Sequence, residues 1–208
     1  EARAPFAEEH EGNILVEVGA TAPRDADPRP DGSVPVTDLL EETLAKLMEK
    51  GRVLDAVVAR TGAQRQEMWA RREAAAEVGL SRRPAVVNDI SVPLDKVATF
   101  LERMAENLPA LDAGAEINVV SHLGDGNVHY IVWPESQDPD LHDRIVERVE
   151  DVVLSLGGSF SAEHGIGLSK KPSMARQKPP VALKMMRRIK AAFDPNGILN
   201  PGKVLPDS

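Results

Sequence analysis

The sequence predicts an α+β fold: an antiparallel, ferredoxin-like sheet with helices packed on one face, plus a small C-terminal helical segment. Three observations lead there. Segments of strand periodicity and helical periodicity alternate along the 208 residues. The connections between strand-like runs are short and turn-rich, which favours antiparallel pairing. Hydrophobic content of 42% and charged content of 28% suit a globular core, and aromatics at only 3% make that core aliphatic.

Taken in order, residues 13–19 (NILVEVG) read as a buried strand, followed by a Pro-rich surface loop, TAPRDADPRPDGSVP. From Val36 to Lys50 the residues Leu39, Leu40, Leu44, Leu47 and Met48 fall at helical spacing, with Gly51 placed to end the helix. Val53 to Ala59 reads as a second strand and Ala63 to Ala76 as a helix carrying Met68, Trp69 and Arg72. Ala85 to Val92 is a β-rich run stopped by Pro93. A helix over Leu94–Leu108 buries Leu94, Val97, Phe100, Leu101 and Met104. Glu116–Ser121 and Val128–Trp133 form a hairpin. Leu141–Leu156 is a helix with Leu141, Ile145, Val149, Val152 and Val153 on one side, stopped by Gly157-Gly158. A last helix spans Val181–Phe193, with Met185-Met186 read as core packing, and ends at the turn DPNG.

Composition narrows the function. A net charge of −8 argues against nucleic acid and anionic membrane surfaces as partners. The doublets Lys170-Lys171 and Arg187-Arg188 are too few to change that and read as solvated charges. The absence of Cys excludes disulfide and thiol chemistry. No apolar run approaches the length of an integral membrane segment, about 18 residues or more. The N-terminal EARAPFAEEHEG lacks the basic-then-apolar order of a signal peptide, so a cytoplasmic location is expected. Neither GxGxxG after a strand nor GxxxxGK[ST] occurs.

The chemistry concentrates in two Gly-punctuated segments. His122 and His129 are seven residues apart in SHLGDGNVH, and Glu163-His164 follows in SFSAEHGIG, in a chain with only five His. A hairpin turning at Asp125, Gly126 and Asn127 brings the two flanking His side chains together. One carboxylate from another segment completes a His, His, Glu set, a common ligand set for a divalent ion with an open coordination position. His164 is left beside it as a candidate proton acceptor. The flanking Gly165 and Gly167 suggest close backbone approach at this point. His, His, Glu also suits a metal hydrolase, but no helical HExxH accompanies it.

Five blocks carry a resemblance: MWARRE, NDISVPLDKV, SHLGDGNVH, SAEHGIGLSKKPSM and MMRRIKAAFDPNGILNPGKV. Together, over nearly the whole of residues 1–208, they resemble the C-terminal substrate domain of FAD-linked oxidases of the vanillyl-alcohol oxidase superfamily. The branch is that of D-2-hydroxy-acid dehydrogenases, with D-lactate dehydrogenase, the flavin-bearing component of glycolate oxidase and D-2-hydroxyglutarate dehydrogenase. The resemblance implies FAD as cofactor, bound mainly by an N-terminal flavin domain that this chain does not include, and a small 2-hydroxy acid as substrate. It implies a divalent metal, Zn or Mn, held by His122, His129 and Glu163, with His164 as general base. Arg72 matches the arginine that grips the substrate carboxylate, and Asn200 lies where the C-terminal segment approaches the flavin. A homodimer is expected.

The pattern departs from the hydroxyglutarate type at three positions. Val87, Ala76 and Ile131 stand where that branch has Lys, Thr and Asn. A second substrate carboxylate would meet no partner there, so a monocarboxylic or more apolar acid, such as lactate, is expected. The competing expectation is a stand-alone binding module that takes a hydroxy acid or a flavin-carrying protein without catalysis.

Overall fold

The computed structural model describes residues 5–207, and they divide into two compact units, Glu1–Glu77 and Val78–Ser208. In the first unit the chain forms a helical turn, α1 (Pro23–Ala26), then α2 (Pro35–Glu49) and most of α3 (Gly62–Leu80). Its described residues include none that is buried. Polar contacts dominate instead: Glu17 accepts from Arg65 Nη2 at 2.5 Å and from Trp69 Nε1 at 2.6 Å, and Arg60 pairs with Glu41 at 2.7 Å.

Two expectations fail in this unit. Residues 13–19 and 53–59 form no strand, and Ile14, Val16, Val18, Leu54 and Val57 are exposed. The alternation of apolar residues is present in both runs. A strand, however, exists only where a neighbour takes its backbone hydrogen bonds and a second layer covers its apolar face. Neither condition is met among the described residues.

The second unit holds the core. Its sheet is antiparallel in the order β1-β3-β2, with β1 Val86–Ser91, β2 Glu116–His122 and β3 Asn127–Trp133. Helices α4 (Val97–Asn107) and α5 (Leu141–Ser155) pack on one face. Short 3-10 turns at Leu94–Lys96 and Leu108–Ala110 flank α4. Side chains alternate across a strand, so Val86 and Ile90 of β1 and Val128, Tyr130 and Val132 of β3 point to the helices. They meet Phe100 and Met104 of α4 and Ile145, Val149 and Val153 of α5, all buried. The Tyr130 and Phe100 rings cross edge-to-face at 5.5 Å. The expected α+β fold with an antiparallel sheet is therefore the one formed.

After α5 the chain returns to the outer edge of β1 but makes only one bridge, Ser91 with Ser159, closed by N–H···O bonds of 3.0 and 2.8 Å. The order β-α-β-β-α is thus completed by a single ladder rung rather than a full strand. Two further helices follow, α6 (Lys171–Gln177), which the sequence pattern did not suggest, and α7 (Pro180–Phe193). They form a small second cluster around Phe160, Met174 and Leu183, with Met186 packed against it. Met185 is exposed, with Val181, Ile189 and Phe193, so only one of the methionine pair is core.

The rung depends on the absence of a side chain at residue 158. A Cβ on Gly158 would lie 2.2 Å from the Ser91 carbonyl oxygen and under 3 Å from Val153 and Val92, with backbone as the unyielding neighbour. Gly158→Ala is expected to cost about 1–3 kcal/mol in urea unfolding. Gly124→Ala, where a Cβ meets nothing within 4 Å, is expected to stay near neutral, within about 0.5 kcal/mol. Equal effects at the two positions would show that the rung does not constrain the fold.

Candidate metal and acid-base site

The face of the sheet opposite α4 and α5 carries the polar residues. Asp89 of β1 stands in register with His129 of β3, and His129 in turn with Val120 of β2. His122, the last residue of β2, faces Asn127. His122 and His129 are therefore diagonal neighbours on one side of the hairpin, with ring centroids 5.8 Å apart. The intervening turn is set by Asp125, whose Oδ1 accepts the Asn127 N–H at 3.0 Å.

The segment 159–166 brings in the second half of the site. Glu163 Oε1 is 3.6 Å from His122 Nε2, and Oε2 is 4.0 Å from His129 Nε2. The His164 ring stacks on His129 at 5.6 Å. His122, His129 and Glu163 each offer a ligand atom within 4.8 Å of the others. Atoms sharing one ion at about 2.0–2.2 Å lie up to about 4 Å apart, and the two Glu163–His separations of 3.6 and 4.0 Å are of that size, so this donor set could hold a divalent ion. The His122 and Glu163 side chains are 47% and 48% exposed, which leaves a ligand free access. A second group, Asp89, His129 and His164, satisfies the same spacing on the buried side.

Three residues of this arrangement were not singled out from the sequence as part of a site. Asp89 is 2% exposed and accepts backbone N–H groups from Ala162 at 3.3 Å and from Glu163 and His164 at 3.0 Å. Lys170 Nζ reaches the same carboxylate at 3.2 Å and Ser161 Oγ at 2.9 Å. Lys170 is thus a site residue rather than a solvated charge, and Lys171 is also engaged, with the Gly202 carbonyl at 3.0 Å. Asn127 is buried, and its amide nitrogen donates to Glu163 Oε1. The signal for Asp89 lay in VVNDIS, where an Asn-Asp pair interrupts an otherwise apolar β-rich run. A buried charge needs partners, and partners mark a constructed site.

The electrostatics follow from this wiring. Burial opposes ionisation of Asp89, but the His164 and Glu163 amides and the Lys170 ammonium together outweigh it, so its carboxyl is held below the usual range. Burial pushes the His129 imidazole down, against the pull of Asp89 and Glu163, and His164 and His122 add to the burial effect. His129 is therefore held neutral near pH 7, the form with a lone pair to offer.

The other expected site residues belong to neither ligand group. Arg72 is half-buried on α3 in the first unit. Its neighbour Arg71 pairs with Glu67 at 2.6 Å. Asn200 lies in the C-terminal loop with φ 46, and its carbonyl accepts from Lys203 N–H at 3.2 Å. Gly165 and Gly167 serve the turn rather than a close approach: their φ values are 67° and 56°, and a Cβ would meet nothing within 4 Å. Of the departures noted above, Val87 and Ile131 face each other one pair along from Asp89 and His129 on the same face, and Ile131 is buried. The side chain of Ala76 lies outside the described residues.

No helix among the described residues is long and apolar enough to cross a membrane. The sequence is 36% identical over 167 residues to a D-2-hydroxyglutarate dehydrogenase of Stutzerimonas stutzeri (strain A1501), covering 78% of this chain and 36% of that protein. It is 36% identical over 171 residues to a mitochondrial D-2-hydroxyglutarate dehydrogenase of Danio rerio, covering 81% and 31%. Against the Rattus norvegicus protein of the same name it is 35% identical over 195 residues, covering 93% and 34%. The chain spans about a third of the length of these curated relatives. The sequence pattern described as "FAD linked oxidases, C-terminal domain" matches residues 30–204, and the chain belongs to that family.

Proposed function

We propose that residues 1–208 form the substrate- and metal-binding domain of a flavin-dependent D-2-hydroxy-acid dehydrogenase, which oxidises a 2-hydroxy acid to a 2-oxo acid. The observation that carries this reading is the convergence of His122, His129 and Glu163, with His164 alongside, on one accessible patch of the sheet. Its partners are a small 2-hydroxy acid, a flavin-carrying domain or subunit, and a second copy of the chain in a homodimer. Its compartment is the cytoplasm.

His122 Nε2, His129 Nε2 and a Glu163 oxygen are the atoms assigned to Zn or Mn. When bound there, the ion supplies a positive charge that stabilises a developing alkoxide, without which a hydroxyl proton is far too weakly acidic for imidazole. FAD supplies the hydride acceptor for the α-carbon. The described residues contain no parallel βαβ unit of the kind that cradles a dinucleotide. FAD is accordingly assigned to polypeptide outside residues 1–208, with Asn200 as this chain's contact to it.

His164 is assigned as the base. Its Nδ1 lies 3.7 Å from Asp89 Oδ2, which leaves Nε2 to take the hydroxyl proton as the carbonyl forms. The hydride leaves the α-carbon, the proton leaves the oxygen, and the alcohol becomes a ketone. Arg72 is assigned to the substrate carboxylate, which a planar guanidinium holds through two parallel hydrogen bonds.

The apolar pair Val87 and Ile131 beside the site supports a monocarboxylic or more apolar acid, although the relatives are named for a dicarboxylic one. In enzyme reconstituted with its flavin partner, kcat/KM for D-lactate is expected to exceed that for D-2-hydroxyglutarate by about tenfold or more. A preference for the diacid would sink this assignment. Elemental mass spectrometry of the purified chain is expected to find about one equivalent of Zn or Mn, lost in the His122→Ala, His129→Ala double variant. An equal metal content in the two proteins would remove these residues as ligands.

A further inference from the structure

Asp89 is the buried carboxylate on which both halves of the candidate site converge. It stands opposite His129 in the β1–β3 ladder, and it receives the amides of the loop that carries Glu163 and His164. The reaction proposed above uses it only as the neighbour of His164 Nδ1, at 3.7 Å, and leaves its relation to His129 unassigned. Two roles are open to a carboxylate so placed: it could be a metal ligand, with His129 and His164, or it could orient the ligands of the other group.

The occupancy of its lone pairs separates the two roles. A carboxylate has about four acceptor positions. Oδ2 already takes N–H groups from Ala162, Glu163 and His164 at 3.3, 3.0 and 3.0 Å, and the Lys170 ammonium at 3.2 Å. A cation bound at Oδ2 would displace these donors and sit against a positive charge. Oδ1 takes only a long contact of 3.4 Å from Glu163 N–H. Its remaining capacity faces His129 Nδ1 at 3.7 Å. Histidine ligands commonly give their second ring N–H to such a carboxylate, which fixes the tautomer and the ring angle.

We propose that Asp89 is the positioning residue of the site: it takes the Nδ1–H of His129, which presents Nε2 toward Glu163, while its other oxygen pins the Glu163-His164 backbone to β1. Lys170 balances the buried charge. The functional meaning of this role rests on the metal assignment above, but the geometry does not.

The test uses the full chain labelled with 15N, observed by long-range 1H–15N imidazole correlation at neutral pH, then titrated with zinc. Metal-free wild type is expected to show His129 as the Nδ1–H tautomer, and zinc to shift its Nε2. Asp89→Asn is expected to weaken zinc binding by about 10–100-fold with unchanged stoichiometry. An Nε2–H tautomer in the wild type, a zinc shift at Nδ1, or an Asp89→Asn affinity within about twofold of wild type would each overturn the proposal. If Asp89→Asn does not fold, the wild-type tautomer still decides. Zinc binding that survives His122→Ala, or is absent from the wild type, counts against the metal assignment instead, and the metal-free tautomer judges Asp89 separately.

Discussion

One buried carboxylate organises the functional face of this chain. Asp89 is held by three backbone amides and an ammonium, and the amides belong to the segment that delivers Glu163 and His164. Without a charged acceptor at that point, the amides of Glu163 and His164 would lose their partner, and only the Ala162 N–H would keep one on β1, the Asp89 backbone carbonyl at 3.3 Å. The loop would then be held to β1 only by the Ser91–Ser159 rung and the Ala162 backbone bond, and the stretch carrying Glu163 and His164 would lose its anchor. The penalty for burying the charge is what makes the arrangement specific, since only a geometry that meets every lone pair keeps it ionised.

That arrangement rests on a division of labour between the two sides of the sheet. Aliphatic side chains from alternate positions of β1 and β3, with Tyr130, close against α4 and α5 and supply the burial that holds the unit together. The intervening positions are thereby freed for polar work. Asp89 and His129 occupy them at the centre, His122 and Asn127 at the hairpin end, and Val87 and Ile131 at the other. A shift of one residue in register would exchange the two sets, so the core packing also fixes which side chains meet at the site.

Much of the second unit was legible from the sequence, because its helices and strands have strong periodicity and are bounded by Pro and Gly. The helix over 141–155, the hairpin at 116–133 and the pairing of His122 with His129 follow from local pattern alone. The segments around Val16 and Val57 show the limit of that reasoning. Their alternation is correct for a strand, but pairing is a property of two segments, and pattern in one does not supply the other. The site was legible as residue types and only half legible as a structure. His122, His129, Glu163 and His164 stand out because they are scarce and clustered. Asp89 and Lys170 lie 81 residues apart, and although a carboxylate within a strand hints at a buried charge, nothing in the sequence names its partner. Lys170 in particular resembles a surface charge in SKKP, and only the third dimension gives it a carboxylate to meet.

The single rung between Ser91 and Ser159 has a consequence for how the molecule moves. A full edge strand would tie the 159–166 segment to the sheet along its length, and it would then breathe only when the sheet does. Here the segment is fastened at separate points, the serine rung at one end and Asp89, through its carboxylate and backbone carbonyl, at the other, with Asn127 holding the Glu163 side chain. It behaves as a strap with two buckles. Opening the Asp89 buckle releases the backbone of Glu163 and His164 together, leaving Glu163 held by its side-chain bond to Asn127, while the core beneath keeps its packing. Disassembly of the site and unfolding of the domain are therefore separate events, with separate free energies and separate rates.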